Sequence, residues 1–176
     1  MKILNLIKAN INDFDKLTQF YREAILNTDN MEIYAKWIYG KHPTDEMILR
    51  YIEEETMFFC EKNGSIASAV AVTPCQSDDY HGIDWGIRIS DDKAAVVHIL
   101  CVNPKLQKQG IAKKTMQLII ELCRNENKKV VRLDALSCNS PAHRLYEGLG
   151  FEKRGQQHWF TDNVGWTDFF LYEFIL

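Results

Sequence analysis

The sequence predicts a single mixed α/β (α+β) sheet flanked by helices, and three observations carry that prediction. A strand-like run from Ala94 to Val102 delivers the chain to a helix start at Ile111. A second run, Val130 to Leu136, alternates around Val131, Leu133 and Ala135 and is followed by a second helix. Asn63-Gly64, the strongest turn signal in the chain, joins Met57–Glu61 to Ile66–Thr73 as a hairpin. At 176 residues and 46% hydrophobic content, the chain is sized for one domain, residues 1–176, with a proper core.

Taken from the start, Lys2 to Lys8 reads as a first strand. Asn12, with Asp15 three positions on, caps a helix whose buried stripe is Phe14, Leu17, Tyr21 and Ala24. A second helical stretch covers Met31 to Tyr39 and ends at Gly40, and Thr44 opens a third that reaches about Glu54. After the hairpin comes an acidic loop, Ser77 to Trp85. The Ala94–Val102 strand is β-branched and apolar and stops at Asn103-Pro104. From Ile111, apolar positions recur at Thr115, Leu118, Ile119, Leu122 and Cys123, with Lys113, Lys114, Gln117, Glu121 and Arg124 mostly elsewhere around the wheel. Ser140-Pro141 supplies a cap and a first-turn proline for a short helix through Leu149, stopped by Gly150. Glu152–Phe160 and Thr167–Leu176 form a closing antiparallel pair with Asp162-Asn163 near its turn. No repeat, low-complexity tract or linker interrupts this order.

The start of the Ile111 helix is the first candidate site. Its leading N–H groups lack intrahelical partners, and Gly110 and Ala112 are too small to block close approach, so the terminus attracts anions. Lys105, Lys108, Lys113 and Lys114 add positive charge, as a ligand with several phosphates would favour; the plain alternative is a solvated lysine-rich helix start. Neither Gly-x-Gly-x-x-Gly nor Gly-x-x-x-x-Gly-Lys-Ser/Thr is present.

Gln107-Lys108-Gln109-Gly110-Ile111-Ala112, then Asn139, then Leu145-Tyr146-Glu147-Gly148-Leu149-Gly150-Phe151 make the chain resemble the GNAT family of acyl-CoA-dependent N-acetyltransferases. The first segment matches that family's Gln/Arg-x-x-Gly-x-Gly/Ala loop. The resemblance covers Ala94 to Arg154 well and Ile7 to Ala24 more loosely. It implies the GNAT acyl-CoA N-acyltransferase fold, a central mixed β-sheet flanked by helices, and acetyl-CoA as co-substrate. By the same resemblance, Leu100, Cys101 and Val102 pair through their backbone with the pantetheine arm, as if it were an extra strand. The amides from Gln107 through Lys113, those of Lys108, Gln109, Gly110, Ile111 and Ala112 among them, hold the pyrophosphate. The strand ending at Val102 is expected to splay from the strand starting near Val130 because a bulge breaks their ladder. Asn139 falls where the family places a side chain that reaches the cofactor arm or the bound amine.

Catalytic roles follow from the same matching. Tyr146 is the candidate acid, because a phenol of pKa ~10 stays protonated at neutral pH and can donate to a departing thiolate. Its ordinary alternative is a core tyrosine on a helix. Many relatives carry a glutamate where this chain has His98; an imidazole of pKa ~6.5 can take a proton from an ammonium, directly or through water, while a structural histidine, an acidic loop residue or bulk water remain alternatives. Early helices and the late hairpin wall the acceptor side in this fold, which places Tyr34, Trp37, Trp85, Trp159 and Trp166 among lining residues, with Asp78, Asp79 and Asp84 as negative charge; core packing and a solvated loop are the alternatives.

Composition bounds the rest. Five cysteines, Cys60, Cys75, Cys101, Cys123 and Cys138, form no Cys-x-x-Cys pair, so neither a metal site nor a full disulfide set is expected. Direct transfer in a ternary complex is preferred to a covalent acyl-enzyme. The formal net charge of −3 argues against a general nucleic-acid surface. No secretory signal is read in Met1–Leu6, no apolar run approaches the ~20 residues that span a bilayer, and the free cysteines point to the cytoplasm. The acceptor, a polyamine, an aminoglycoside-like amine, an amino acid or a protein α-amino group, stays open, as do a homodimer and a non-catalytic acyl-CoA-binding module.

Overall fold

The strands Leu6–Lys8 (β1), Met57–Lys62 (β2), Ser65–Thr73 (β3), Ala94–Val102 (β4), Val130–Leu136 (β5), Glu152–Thr161 (β6) and Gly165–Ile175 (β7) form one sheet in the order β1-β2-β3-β4-β5-β7-β6. This is a computed structural model, and it describes residues 4–176. Only β4 and β5 pair in parallel; every other neighbouring pair is antiparallel. The helices are Phe14–Asn27 (α1), Met31–Tyr34 (α2), Asp45–Glu53 (α3), Ile111–Asn125 (α4) and Ser140–Gly148 (α5).

Local chemistry accounts for most boundaries. Asn63 and Gly64 both take positive φ, 55° and 77°, as a two-residue type I′ turn requires, so β2 and β3 pair as a hairpin. Thr44 caps α3 by accepting from the Met47 amide at 3.1 Å. The first cap differs from expectation: Asn10, not Asn12, is the capping residue, and its reciprocal partner is Asp13. A 3₁₀ turn, Ile11–Asp13, then leads into α1. The Met31–Tyr39 helix is also shorter than expected. It ends after one turn because Lys36 takes a left-handed φ of 55°, and Ile38 then bridges His42. The first strand begins at Leu6; Lys2 and Ile3 of the expected strand lie outside the described residues.

Two cores sandwich the sheet. Leu17, Tyr21 and Ala24 of α1 and Ile48 and Ile52 of α3 pack on Met57, Phe59 and Ala69. On the opposite face, Met116, Ile119 and Cys123 of α4 cover Val97, Val131 and Leu133. The α4 stripe is rotated from the expected one: Met116 and Ile120 are buried, whereas Leu118 and Leu122 are only half-buried. Full burial of a side chain such as Leu17 or Ile119, each 0% exposed, is worth about 1.5–3 kcal/mol.

Arg132, on the same face of β5 as Asp134, is 1% exposed. Its Nε and Nη2 donate to Glu173 Oε2 of β7 at 3.0 and 2.7 Å, Nη1 donates to Gln76 Oε1, and Nη2 also reaches the Ile87 carbonyl at 3.2 Å. Glu173 Oε1 accepts from the Gly86 amide at 2.8 Å and from Arg154 Nε at 3.2 Å. A Cβ at Gly86 would press on the ends of the Arg154 and Glu173 side chains. The acidic loop is thereby tied to the sheet. Removing Arg132 leaves Glu173 buried with half its partners gone, so Arg132→Ala is expected to cost about 3–5 kcal/mol. Urea unfolding reads that loss, and hydrogen exchange should show the amides of residues 76–87 deprotected first.

Candidate active site

The site begins with a fork in the sheet. β4 and β5 pair from Ala94↔Val130 to Val97↔Leu133, and then the ladder ends. The cause lies on the other edge of β4. Ala71 pairs with His98 and Ala69 with Cys101, so Val70 faces an extra residue of β4. Ile99 takes φ 46°, a left-handed conformation that costs a β-branched residue on the order of 1–3 kcal/mol. The buried Tyr21 hydroxyl holds it by donating to the Ile99 carbonyl at 2.9 Å. The bulge therefore sits in the β3–β4 ladder and not, as expected, between β4 and β5. Its effect is the expected one: beyond Val97 the β5-facing edge of β4, which includes Leu100, Cys101 and Val102, carries no ladder.

Below the fork lies the loop before α4. Lys108 and Gly110 take positive φ, 60° and 76°, and a Cβ at Gly110 would meet nothing within 4 Å, so that glycine serves the backbone bend rather than space. Among the described residues no side chain caps α4, which leaves its first amides for a ligand. Gln107 Nε2 donates to Thr28 Oγ1 at 3.0 Å, and Lys62 Nζ donates to Gln109 Oε1 at 3.1 Å, so both ends of the loop are tied to neighbouring elements. The free edge, the uncapped helix and the surrounding lysines fit a strand-like arm that ends in phosphates.

A cavity of about 1260 Å³ opens at the fork. It brings together His98, Leu100, Cys101, Val102, Gln107, Lys108, Ala112, Asn139 and Tyr146 with Tyr34, Trp37, Trp159 and Trp166. Gln109, Gly110 and Lys113 are exposed outside its lining, and Ile111 is buried against Cys60 and Ala67. Trp85 is placed elsewhere. It stacks on Tyr80 at 5.6 Å and under the Arg132 guanidinium at 4.0 Å, because the loop that carries it folds back on β5 and β7. Asp79 lines the cavity; Asp78 and Asp84 do not. Among the described residues no cluster suited to a metal ion occurs.

Burial sets the protonation states. His98 stacks on Tyr51 at 5.9 Å and lies 3.1 Å from Thr73 Oγ1; desolvation, with the Arg50 charge, lowers its pKa to about 4. Tyr146 is 7% exposed, its hydroxyl has no hydrogen-bond partner among the described residues, and desolvation raises its pKa well above the phenol range. Desolvation pushes the Cys101 thiol up to about 12. Asn139 Oδ1 accepts from the Ala142 amide at 3.2 Å and so caps α5, the helix that carries Tyr146.

Two lining residues escaped the sequence reading. Asp134 of β5 faces the cavity, its pKa raised by desolvation against the hydrogen bond from Tyr80 and the nearby His42. Tyr80 comes from the acidic loop and donates to Asp134 Oδ2 at 2.7 Å. The signal was present in Val-Val-Arg-Leu-Asp-Ala-Leu, where two charged residues alternate along an otherwise apolar strand.

A family model for acetyltransferases of the GNAT family matches residues 17–151. The chain belongs to that family. GNAT acetyltransferases use acetyl-CoA, the ligand that the free edge and loop described above fit. An uncharacterised N-acetyltransferase of Methanocaldococcus jannaschii is 26% identical over 163 residues, which cover 88% of this chain and 66% of that protein, just under two thirds of its length. A GNAT-family acetyltransferase structure from Streptococcus agalactiae superposes with TM-score 0.79 at 17% identity, covering 99% of this chain and 96% of that one. An acetyltransferase from Salmonella typhimurium, solved with its cofactor acetyl-CoA, gives TM-score 0.72 at 20% identity, with 99% and 95% covered. These likenesses bear out the expected fold, a mixed sheet with flanking helices. The ribosomal-protein-S18-alanine N-acetyltransferase of Escherichia coli shares it too, at TM-score 0.69 and 14% identity, with 98% and 94% covered.

His98 gives the GNAT fold here an acid-sensitive point. An unfolded histidine takes up its proton near pH 6.5, whereas the half-buried, desolvated imidazole resists to about 4. Stability is therefore complete above pH 6.5 and falls as pH drops toward 4. By pH 4.5 the loss from this group should be on the order of 2–3 kcal/mol. Urea unfolding at pH 7 and 4.5 is expected to show a smaller acid loss in His98→Gln than in the native protein.

Proposed function

We propose that the protein moves the acetyl group of acetyl-CoA to a primary amine by direct transfer within a ternary complex. The observation that carries this reading is the joining of the free β4 edge, the uncapped start of α4 and the Tyr146 hydroxyl in one cavity. Leu100, Cys101 and Val102 would hold the pantetheine arm through their backbone, and the amides from Gln107 through Lys113 the pyrophosphate. Acetyl-CoA, when bound, supplies the electrophilic thioester carbonyl and a thiolate leaving group.

Tyr146 keeps its proton at every working pH, so it serves as the hydrogen-bond donor to negative charge developing on sulfur, in a site that is already desolvated. His98 is neutral, and its low pKa makes it a weak base; it acts as a polar wall of the acceptor side. Cys101 is held as the thiol by burial, which supports direct attack by the amine over an acyl-enzyme. A reducing, cytoplasmic setting suits the five cysteines, all free. Among the described residues no helix is long and apolar enough to cross a membrane.

Calorimetry with acetyl-CoA and CoA, followed by thiol release on addition of amines, tests the reading. Binding with amine-dependent release and intersecting double-reciprocal plots is expected; absence of acetyl-CoA binding would overturn it, and parallel plots would replace direct transfer by an acyl-enzyme. In the same assay Tyr146→Phe should lower kcat by about 100-fold or more while the acetyl-CoA Kd barely moves.

A further inference from the structure

We propose that Asp134, aligned by Tyr80, is the subsite for the acceptor's ammonium group, and that the acceptor is a primary amine on a flat, uncharged, apolar body. This rests on the transferase reading above and adds the substrate class and two residues to it.

Position comes first. Val97↔Leu133 is the last pair of the parallel ladder, so His98 and Asp134 are the next residues along the two prongs of the fork and share one face of the sheet. Asp134 thus stands at the mouth of the space into which the β4 edge opens. Asp134 lines the cavity; its Oδ2 accepts from the Tyr80 hydroxyl at 2.7 Å, while Oδ1 has no hydrogen-bond partner among the described residues. A carboxylate with one oxygen held and the other free is suited to an entering ammonium.

Tyr80 is a positioning residue whose own placement is secured. It is 3% exposed and lies between Trp85, stacked at 5.6 Å and 13°, and Trp159, at 6.2 Å. Trp85 Nε1 donates to the Tyr80 carbonyl at 2.8 Å, and Arg132 covers the Trp85 ring. The buried ion pair of β5 and β7 thereby reaches the acceptor site through two aromatic rings.

The walls select the acceptor. Trp37, Tyr34, Trp159 and Phe169 present ring surfaces to the cavity, while the other lining carboxylates, Asp29 and Asp79, are exposed at its edge. A flat apolar body finds ring faces to stack on. A polyamine's second cation would find only the solvent-screened carboxylates.

Protons balance as follows. The bound ammonium gives one proton to Asp134, which passes it to water. The freed amine, which keeps two protons, forms the C–N bond as the C–S bond breaks; one of those protons stays on the amide nitrogen and the other reaches the departing sulfur, toward which Tyr146 donates its hydrogen bond. Tyr80 and Asp79 of the loop, His42 ahead of α3, Tyr51 of α3, His98 of β4 and Tyr146 of α5 are the titratable groups around Asp134. The Tyr80 hydrogen bond holds the Asp134 pKa down, so its loss moves the acid limb of activity to higher pH.

The test compares 2-phenylethylamine, spermidine and a short peptide with a free N-terminus, in the native protein, Asp134→Asn and Tyr80→Phe. Three quantities are measured: amine affinity by calorimetry, kcat/KM across pH, and acetyl-CoA affinity as the control for folding. The expected result is a preference for 2-phenylethylamine of about tenfold or more. Asp134→Asn should lose amine affinity with acetyl-CoA binding intact, and Tyr80→Phe should shift the acid limb upward and recover at high pH. A preference for spermidine or the peptide, or unchanged affinity in Asp134→Asn with an unshifted limb in Tyr80→Phe, would overturn the inference and leave the transferase standing. Thiol release with none of the three amines, acetyl-CoA still binding, would overturn both. Should Asp134→Asn fail to fold, the Tyr80→Phe profile and the amine preference decide.

Discussion

The Arg132–Glu173 ion pair is the constraint on which the placement of the acidic loop, and with it the Tyr80 side of the cavity, depends. Two charges at 1% and 0% side-chain exposure are tolerated only because nearly every lone pair and N–H is matched: Gln76, Ile87, Gly86 and Arg154 complete the set. Three of those partners belong to the segment between β3 and β4. That segment has little regular structure, only the 3₁₀ turns Asp78–Tyr80 and Asp91–Lys93, so its place on the sheet is decided by side-chain chemistry rather than by a backbone ladder. Trp85 and Tyr80 then take their positions from that attachment.

The fork between β4 and β5 depends on a different constraint, the bulge in β4. One extra residue at Ile99 turns the strand away from β5 and exposes a row of backbone groups that a flat sheet would have paired. The strained conformation is held from below by Tyr21 of α1. The acidic loop supports one prong of the fork and α1 the other, so the two substrates of a transferase would meet where two independent supports converge.

Legibility in the sequence followed range. β4 and β5 were readable to the residue because alternation and the break at Asn103-Pro104 are local. The hairpin at Asn63-Gly64 and the Thr44 cap were readable for the same reason. The helix read over Met31–Tyr39 failed because nothing in its composition announces a left-handed Lys36. In the site, the Gln107–Ala112 loop and Tyr146 were legible as a motif, whereas Trp85 was read as an acceptor wall. Its ring is instead claimed by Arg132, a partner 47 residues away in the chain, and no local pattern records such a contact. Asp134 was overlooked because a charge in a strand looks like a solvated edge until a tyrosine from another segment covers it.

By itself the sequence determined the order of strands and helices, the hairpin at Asn63-Gly64 and the family to which the chain belongs. These rest on propensity, periodicity and short-range hydrogen bonding, all of which act between residues close in the chain. Only the tertiary structure decided which ladder carries the bulge, where the acidic loop docks and which carboxylate of β5 lines the cavity. Those outcomes depend on burial, and burial is a property of neighbours that folding brings from far along the chain.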